Sequence, residues 1–216
     1  MMPSLLQSAV GGLSQQQQQT ARAEVVDRMV ATVNRQLITY SDLLWQLALQ
    51  PDTPIDSPRS EDLNSALQLL INQRLFHGEA DKLPHIQPKD EEVEAALAAL
   101  IRRFPSQSEF YKRIERVGLT AEQLRETVRE RVEIEKYLDF RFRSFTIVSP
   151  KEVADYYRDV YVPRLRQRSP ARIVPTLEEA QAEIERTLTE SKIESDIEAL
   201  LEDMRTRAEI VILSQV

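Results

Sequence analysis

The sequence has no cysteine, and that single absence removes thiol catalysis, disulfide bridges and cysteine-bearing zinc sites together. It constrains the compartment little, although a thiol-free chain suits an oxidising one. Glycine is almost as scarce, at 4 of 216 residues. Phosphate-cradling loops depend on glycine for close backbone approach, and neither G-x-x-x-x-G-K nor G-x-G-x-x-G occurs, so no nucleotide or other cofactor is expected. There are two histidines. His77 and His85 have no second histidine at i+4 and no H-E-x-x-H, so no metal ligand and no catalytic residue is assigned; they read as a surface and a loop histidine. No apolar run approaches the roughly 20 residues that span a bilayer, and no integral membrane segment is expected. Cations are in deficit, with a formal net charge of -7. A basic face is what nucleic acid requires, so a nucleic-acid partner is not expected.

What is present points to helices. Apolar residues make up 42% and charged residues 29%, ordinary proportions for a globular protein. Glu, Arg, Leu and Ala recur with a period near 3.6 over most of the length. The exception is residues 25–49, where a strand pattern runs directly into a helix pattern. Met29, Ala31 and Val33 alternate with Val30 and Thr32; Asn34 and Arg35 interrupt the run, and Leu37, Ile38 and Thr39 resume it, which predicts a small hairpin. Asn tolerates the left-handed backbone of a tight hairpin turn, whereas Arg35 stands where Gly is preferred, so the turn type stays open. From Thr39 the period becomes helical, with Asp42 three residues on as an N-terminal carboxylate.

Further helices are expected over 60–80, 89–104, 108–117, 120–143, 150–160 and 176–207. The first carries an apolar stripe of Leu63, Leu67, Ile71 and Leu75. In the second, Val93, Leu97, Leu100, Ile101 and Phe104 should face inward, and in the fourth Leu124, Val128, Val132 and Leu138. Gly118 sits where a C′ glycine stops the third. Thr120–Gln123, Ser149–Glu152 and Thr176–Glu179 are capping boxes, the second with Pro150 at N1. Residues 145–148 read as a short extended piece, and 209–213 as a closing strand of β-branched residues. That makes about seven helices and three short strands. A two-stranded hairpin is marginal alone, so 210–213 is expected to pair with 30–33 or with 37–39, completing a ribbon. The expected fold is mainly α with a small β ribbon. Its expected divisions are 1–23 as a disordered leader or a degenerate or truncated export signal, 24–160 as a helical core with the hairpin, 161–175 as a connector, and 176–216 as a helix and strand returning to the core.

Few groups suggest chemistry. Asp90, Glu91 and Glu92, like Glu178 and Glu179, lie in helix first turns, where the helix dipole accounts for them. Arg164, Arg166, Arg168 and Arg172 form the densest positive run; a solvated loop explains it, with an anionic contact as the alternative. Trp45, Phe110, Tyr111, Tyr137, Phe140 and Phe142 recur near helix ends. Those left exposed are the candidates for an apolar, peptide-binding surface.

The order of these pieces resembles the SurA-like periplasmic chaperones and their parvulin-type peptidyl-prolyl isomerase relatives. The stretch V-V-D-R-M-V-A-T-V-N-R-Q-L-I-T-Y-S-D-L resembles the family's N-terminal signature. L-L-I-N-Q-R-L-F-H-G-E-A-D-K-L, G-L-T-A-E-Q-L-R-E and V-S-P-K-E-V-A-D-Y-Y follow in the family's order, and the last helix with A-E-I-V-I-L is similar to its returning C-terminal segment. Relatives carry one or two parvulin domains before that last helix. Here residues 161–175 offer 15 residues, far below the roughly 50 that a small domain needs. The resemblance therefore implies the chaperone core without the isomerase: an ATP-independent holdase for unfolded or nascent exported polypeptides, in the periplasm or another extracytoplasmic compartment, serving outer-membrane or secreted proteins. Two alternatives stay open, a residual prolyl isomerase activity of the helical core and an assembly subunit that pairs, for instance as a homodimer, through its long last helix.

Overall fold

The computed structural model describes residues 27–169 and 173–216. The expected leader and Arg172 lie outside them. The chain opens with strands β1 (Met29–Val33) and β2 (Gln36–Thr39), which pair antiparallel through the turn at Asn34 and Arg35. Both turn residues have positive φ, 48° and 71°, the signature of a type I′ turn, whose twist matches that of the flanking strands. The last strand, β3 (Ile210–Ile212), pairs antiparallel with β1, setting Ala31 opposite Ile212 and Val33 opposite Ile210. The sheet order is β2-β1-β3. Of the two expected partners for the closing strand, β1 is the one used. Leu213 N–H donates to Val30 O at 2.8 Å and Asn34 N–H to Glu209 O at 2.9 Å, so both ends of β3 are tied.

Helix α1 (Tyr40–Ala48) follows β2 without a loop. Thr39 makes this possible: its hydroxyl accepts from Asp42 N–H while its own N–H donates to Asp42 Oδ2 at 2.8 Å, satisfying two free donors of the first turn. The main helices are α2 (Ser60–Ala80), α3 (Asp90–Ile101), α4 (Gln107–Arg116) and α5 (Ala121–Leu138). Helix α2 packs against α1 and α5, and α3 against α5. Their apolar stripes meet the inner face of the sheet in one core that includes Val30, Ile38, Leu43, Leu67, Ile71 and Phe110. Val93, Leu100, Phe104, Leu124, Val128 and Val132 are buried as expected, while Leu97, Ile101 and Leu138 are only partly covered. Gly118, at φ 67°, ends α4. Leu119 N–H reaches Ile114 O and Gly118 N–H reaches Glu115 O, the paired bonds of a Schellman cap.

One long-range contact closes this body in a way that no local motif announces. The Arg113 guanidinium donates to the carbonyls of Ala48 and Leu47 at 3.0 Å, of Gln50 at 2.9 Å, and of Thr53. It thereby caps the C-terminal end of α1, whose carbonyls carry partial negative charge. Trp45 adds a second tie, its Nε1–H donating to Val117 O at 3.0 Å.

Beyond α5 the chain departs from expectation. The helix anticipated to about residue 143 remains α-helical only to Leu138 and finishes as a π-turn, Asp139–Arg143. Phe142 O then accepts from Phe145 N–H, Thr146 N–H and the Thr146 hydroxyl, which ends the helix. Residues 146–149 have no strand pairing. Helix α6 (Pro150–Tyr156) carries the expected Ser149–Glu152 box. The expected connector 161–175 is partly helical, because α6 passes through a second π-turn, Tyr157–Tyr161, into α7 (Val162–Arg168). Pro163 stands in the first turn of α7, where the missing N–H costs little.

The last helix, α8 (Leu177–Arg207), has 31 residues and is about 46 Å long. Its ends belong to different cores. Ala180 and Ile184 pack with Val153 in a small second cluster bordered by Val148, Tyr156, Tyr157 and Leu188. Met204, about 30 Å further on, is buried in the main core. Helices α6, α7 and the first half of α8 thus form an arm, and α8 carries it on the body.

Candidate functional site

Where α8 crosses from arm to body, it passes the segment that follows α5. Lys192, midway along α8, donates from Nζ to Ile147 O at 2.8 Å and pairs with Glu152 Oε1 at 2.7 Å. Lys192, first, and then the Ser149 backbone N–H and hydroxyl hold the Glu152 carboxyl at about 2, well below its ordinary value. One cation therefore pins both the end of the exposed segment and the start of α6 to α8.

Two grooves flank this pin. One, of about 390 Å³, is formed by Phe142, Phe145 and Ile147 with Arg141, Lys192 and Asp196. The other, of about 720 Å³, has Ile193 and Ile197 as its apolar floor and Arg143, Arg186, Glu190 and Glu194 among its rim. Phe145 is 71% exposed and Ile147 80%. Two large apolar side chains so open to water, next to a second groove with an apolar floor and a rim of both charge signs, are the features of an interaction surface. Among the described residues no group of three or more His, Cys, Asp and Glu side chains is placed to hold a metal ion.

The six aromatic candidates separate sharply. Phe110 is 0% exposed and Tyr137 4%; both are core residues and present no ring to a partner. Trp45 is half-buried and spends its N–H on Val117. Tyr111 is exposed but sits on α4, edge-on to Phe110 at 5.2 Å, on an element that takes no part in either groove. Phe140 is exposed and meets His85 edge to face at 5.1 Å. Phe142 lines the smaller groove. Phe145 and Ile147, with Ile193 and Ile197, were not among the candidates. Their signal was legible as Phe145-Thr146-Ile147-Val148, an apolar, β-branched stretch between two helices with no strand to pair with.

The histidines also differ from expectation. His77 is not simply a surface residue: its Nδ1 lies 3.1 Å from Oε2 of Glu133, a carboxylate with only 4% of its side chain exposed, although the two are not aligned as a hydrogen bond. Gln87 Nε2 donates to the other Glu133 oxygen at 2.5 Å. The fold thus gives His77 an acidic neighbour that sequence spacing does not reveal. Among the described residues no helix is long and apolar enough to cross a membrane.

No profile of a known protein family matches the chain. It is similar to the Chaperone SurA of Alkalilimnicola ehrlichii, with 29% identity over 143 residues, covering 63% of this chain and 33% of that protein. The chain therefore spans about a third of the length of this curated relative. The similarity is weak, and it agrees with the order of motifs read from the sequence in pointing to a SurA-like relationship.

Proposed function

We propose that this protein is an ATP-independent holdase that shelters unfolded polypeptide on the apolar surface where α8 joins arm to body. The exposure of Phe145 and Ile147 beside the two grooves carries the reading. Covering a side chain of this size contributes about 1.5–3 kcal/mol. Two or three engaged together give about 3–9 kcal/mol before the cost of association, so this patch by itself binds weakly. Weak, many-point contacts of this kind suit varied clients, and release follows when a client buries its own apolar residues. Phe140 and Phe142 extend the contact surface, and the mixed charge at the rim accepts polar client backbone and side chains of either sign. The similarity to a SurA chaperone supports the same role. The resemblance extends the proposal to exported clients, outer-membrane or secreted proteins, met in the periplasm.

Light scattering of a thermally aggregating reporter tests this. The chain in several-fold excess should suppress scattering, and Phe145→Ser with Ile147→Ser should weaken suppression severalfold while leaving the melting temperature unchanged. No suppression by the unaltered chain would overturn the proposal.

A further inference from the structure

One largely buried cation of α5 has no ion-pair partner among the described residues. The Arg131 guanidinium is largely buried, donates from Nη2 to the neutral Gln46 Oε1 at 2.6 Å, and has its Nε enclosed without a partner. Other partly buried arginines of the body are compensated: Arg74 pairs with Glu130 at 3.1 Å, Arg129 with Asp90 at 2.8 Å, and Arg113 gathers four carbonyls. No acid lies in ion-pair range of Arg131 among the described residues. Burial pulls Arg131 down to about 10, the neighbouring Arg103 guanidinium pushes the same way and Glu130 partly opposes them, and at neutral pH the group stays charged. A buried charge without a partner is costly. Arg103, exposed, has no ion pair among the described residues either.

Both guanidiniums line one groove of about 330 Å³ between α3 and α5. Its walls are Ala96, Leu100, Val128 and Val132, and Glu135 stands with them in the lining. The volume is at the lower end of the ~300–1,000 Å³ common for small-ligand sites, enough for one terminal residue. Apolar walls with two fork-shaped donors fit a carboxylate on an apolar body, since a guanidinium matches a carboxylate with two parallel hydrogen bonds. Glu135 disfavours a more highly charged anion such as a phosphate monoester.

We infer that the α3–α5 groove binds the free C-terminal carboxylate of a polypeptide ending in a large apolar side chain, with Arg131 and Arg103 on the carboxylate and Leu100, Val128 and Val132 on the side chain. The choice of a polypeptide as the source rests on the holdase reading; the carboxylate preference rests on the groove alone.

Fluorescence anisotropy with the full chain tests it, using a labelled hexapeptide ending in phenylalanine as the free acid and the same peptide as its C-terminal amide. The acid should bind at least tenfold more tightly, and Arg103→Gln, at an exposed position, should remove most of that preference without changing the melting temperature. Arg131→Lys should weaken it as well, since an ammonium cannot hold Gln46 and the carboxylate from the two arms of one planar fork. Equal affinity for acid and amide overturns the inference, as does binding of octanoate without binding of the peptide acid. The comparison is independent of aggregation suppression: a chain that prefers the acid yet fails to protect the reporter removes the holdase reading and leaves the site.

Discussion

Replacing Ile184 by alanine should release the arm while leaving the body folded. Ile184 is 0% exposed and is one of three fully enclosed residues, with Val153 and Ala180, in the small core that joins α6 to α8. Removing a buried isoleucine to alanine costs about 2–5 kcal/mol, least where the site can collapse. This cluster is small and edged by half-buried tyrosines, so the lower end, about 2–3 kcal/mol, applies. That corresponds to a roughly 30- to 150-fold increase in the equilibrium for opening the arm. The main core shares none of these residues, and α8 is anchored there independently through Met204. Hydrogen exchange followed by mass spectrometry reads the two regions separately: amides of α6 and α7 should lose protection by that factor, and those of α2 and α5 should not change. A uniform loss of protection across both, or a single lowered melting transition with no local change, would refute the division into two cores.

Three further outcomes follow from particular contacts. Deleting residues 209–216 removes the Leu213–Val30 and Asn34–Glu209 backbone bonds and the cover over one edge of β1; at about 0.5–1.5 kcal/mol per bond plus partial burial, the loss should be about 3–5 kcal/mol in urea denaturation, and a truncation that unfolds at the same midpoint would show the third strand to be dispensable. Gly118→Ala should destabilise by about 1 kcal/mol for conformational reasons alone, because φ is +67° and an added Cβ meets nothing within 4 Å; an unchanged thermal midpoint contradicts it. The Glu152 carboxyl is lowered from 4.5 to about 2, and a lowered acid stabilises the fold above its unfolded value and loses that contribution as pH falls through its folded one. The tie from α6 to α8 should therefore hold above about pH 4.5 and weaken toward pH 2, seen as faster exchange in α6, and Glu152→Gln should abolish this pH dependence; a profile identical to that of the unaltered chain would count against the Lys192 pin.

Helix starts were legible in the sequence because a capping box is a contact between residues three apart, and Thr39–Asp42, Thr120–Gln123, Ser149–Glu152 and Thr176–Glu179 each form it. The strand pattern of 210–213 was legible for the same reason, since alternation is local. Its choice of β1 over β2 was a tertiary decision. β1 encloses Val30, Ala31 and Val33 where β2 encloses Ile38, and placing β1 in the centre pairs its backbone on both sides, as buried polar groups require. Composition likewise predicted aromatic side chains near helix ends but could not separate Phe110, sealed in the core, from Phe145, open to water, because burial depends on which faces meet. The contacts that build the site and the groove join residues 45 apart for Lys192 and Ile147 and 85 apart for Arg131 and Gln46. Periodicity carries no information at such separations; only the packing of α5, α8 and their neighbours brings those groups together.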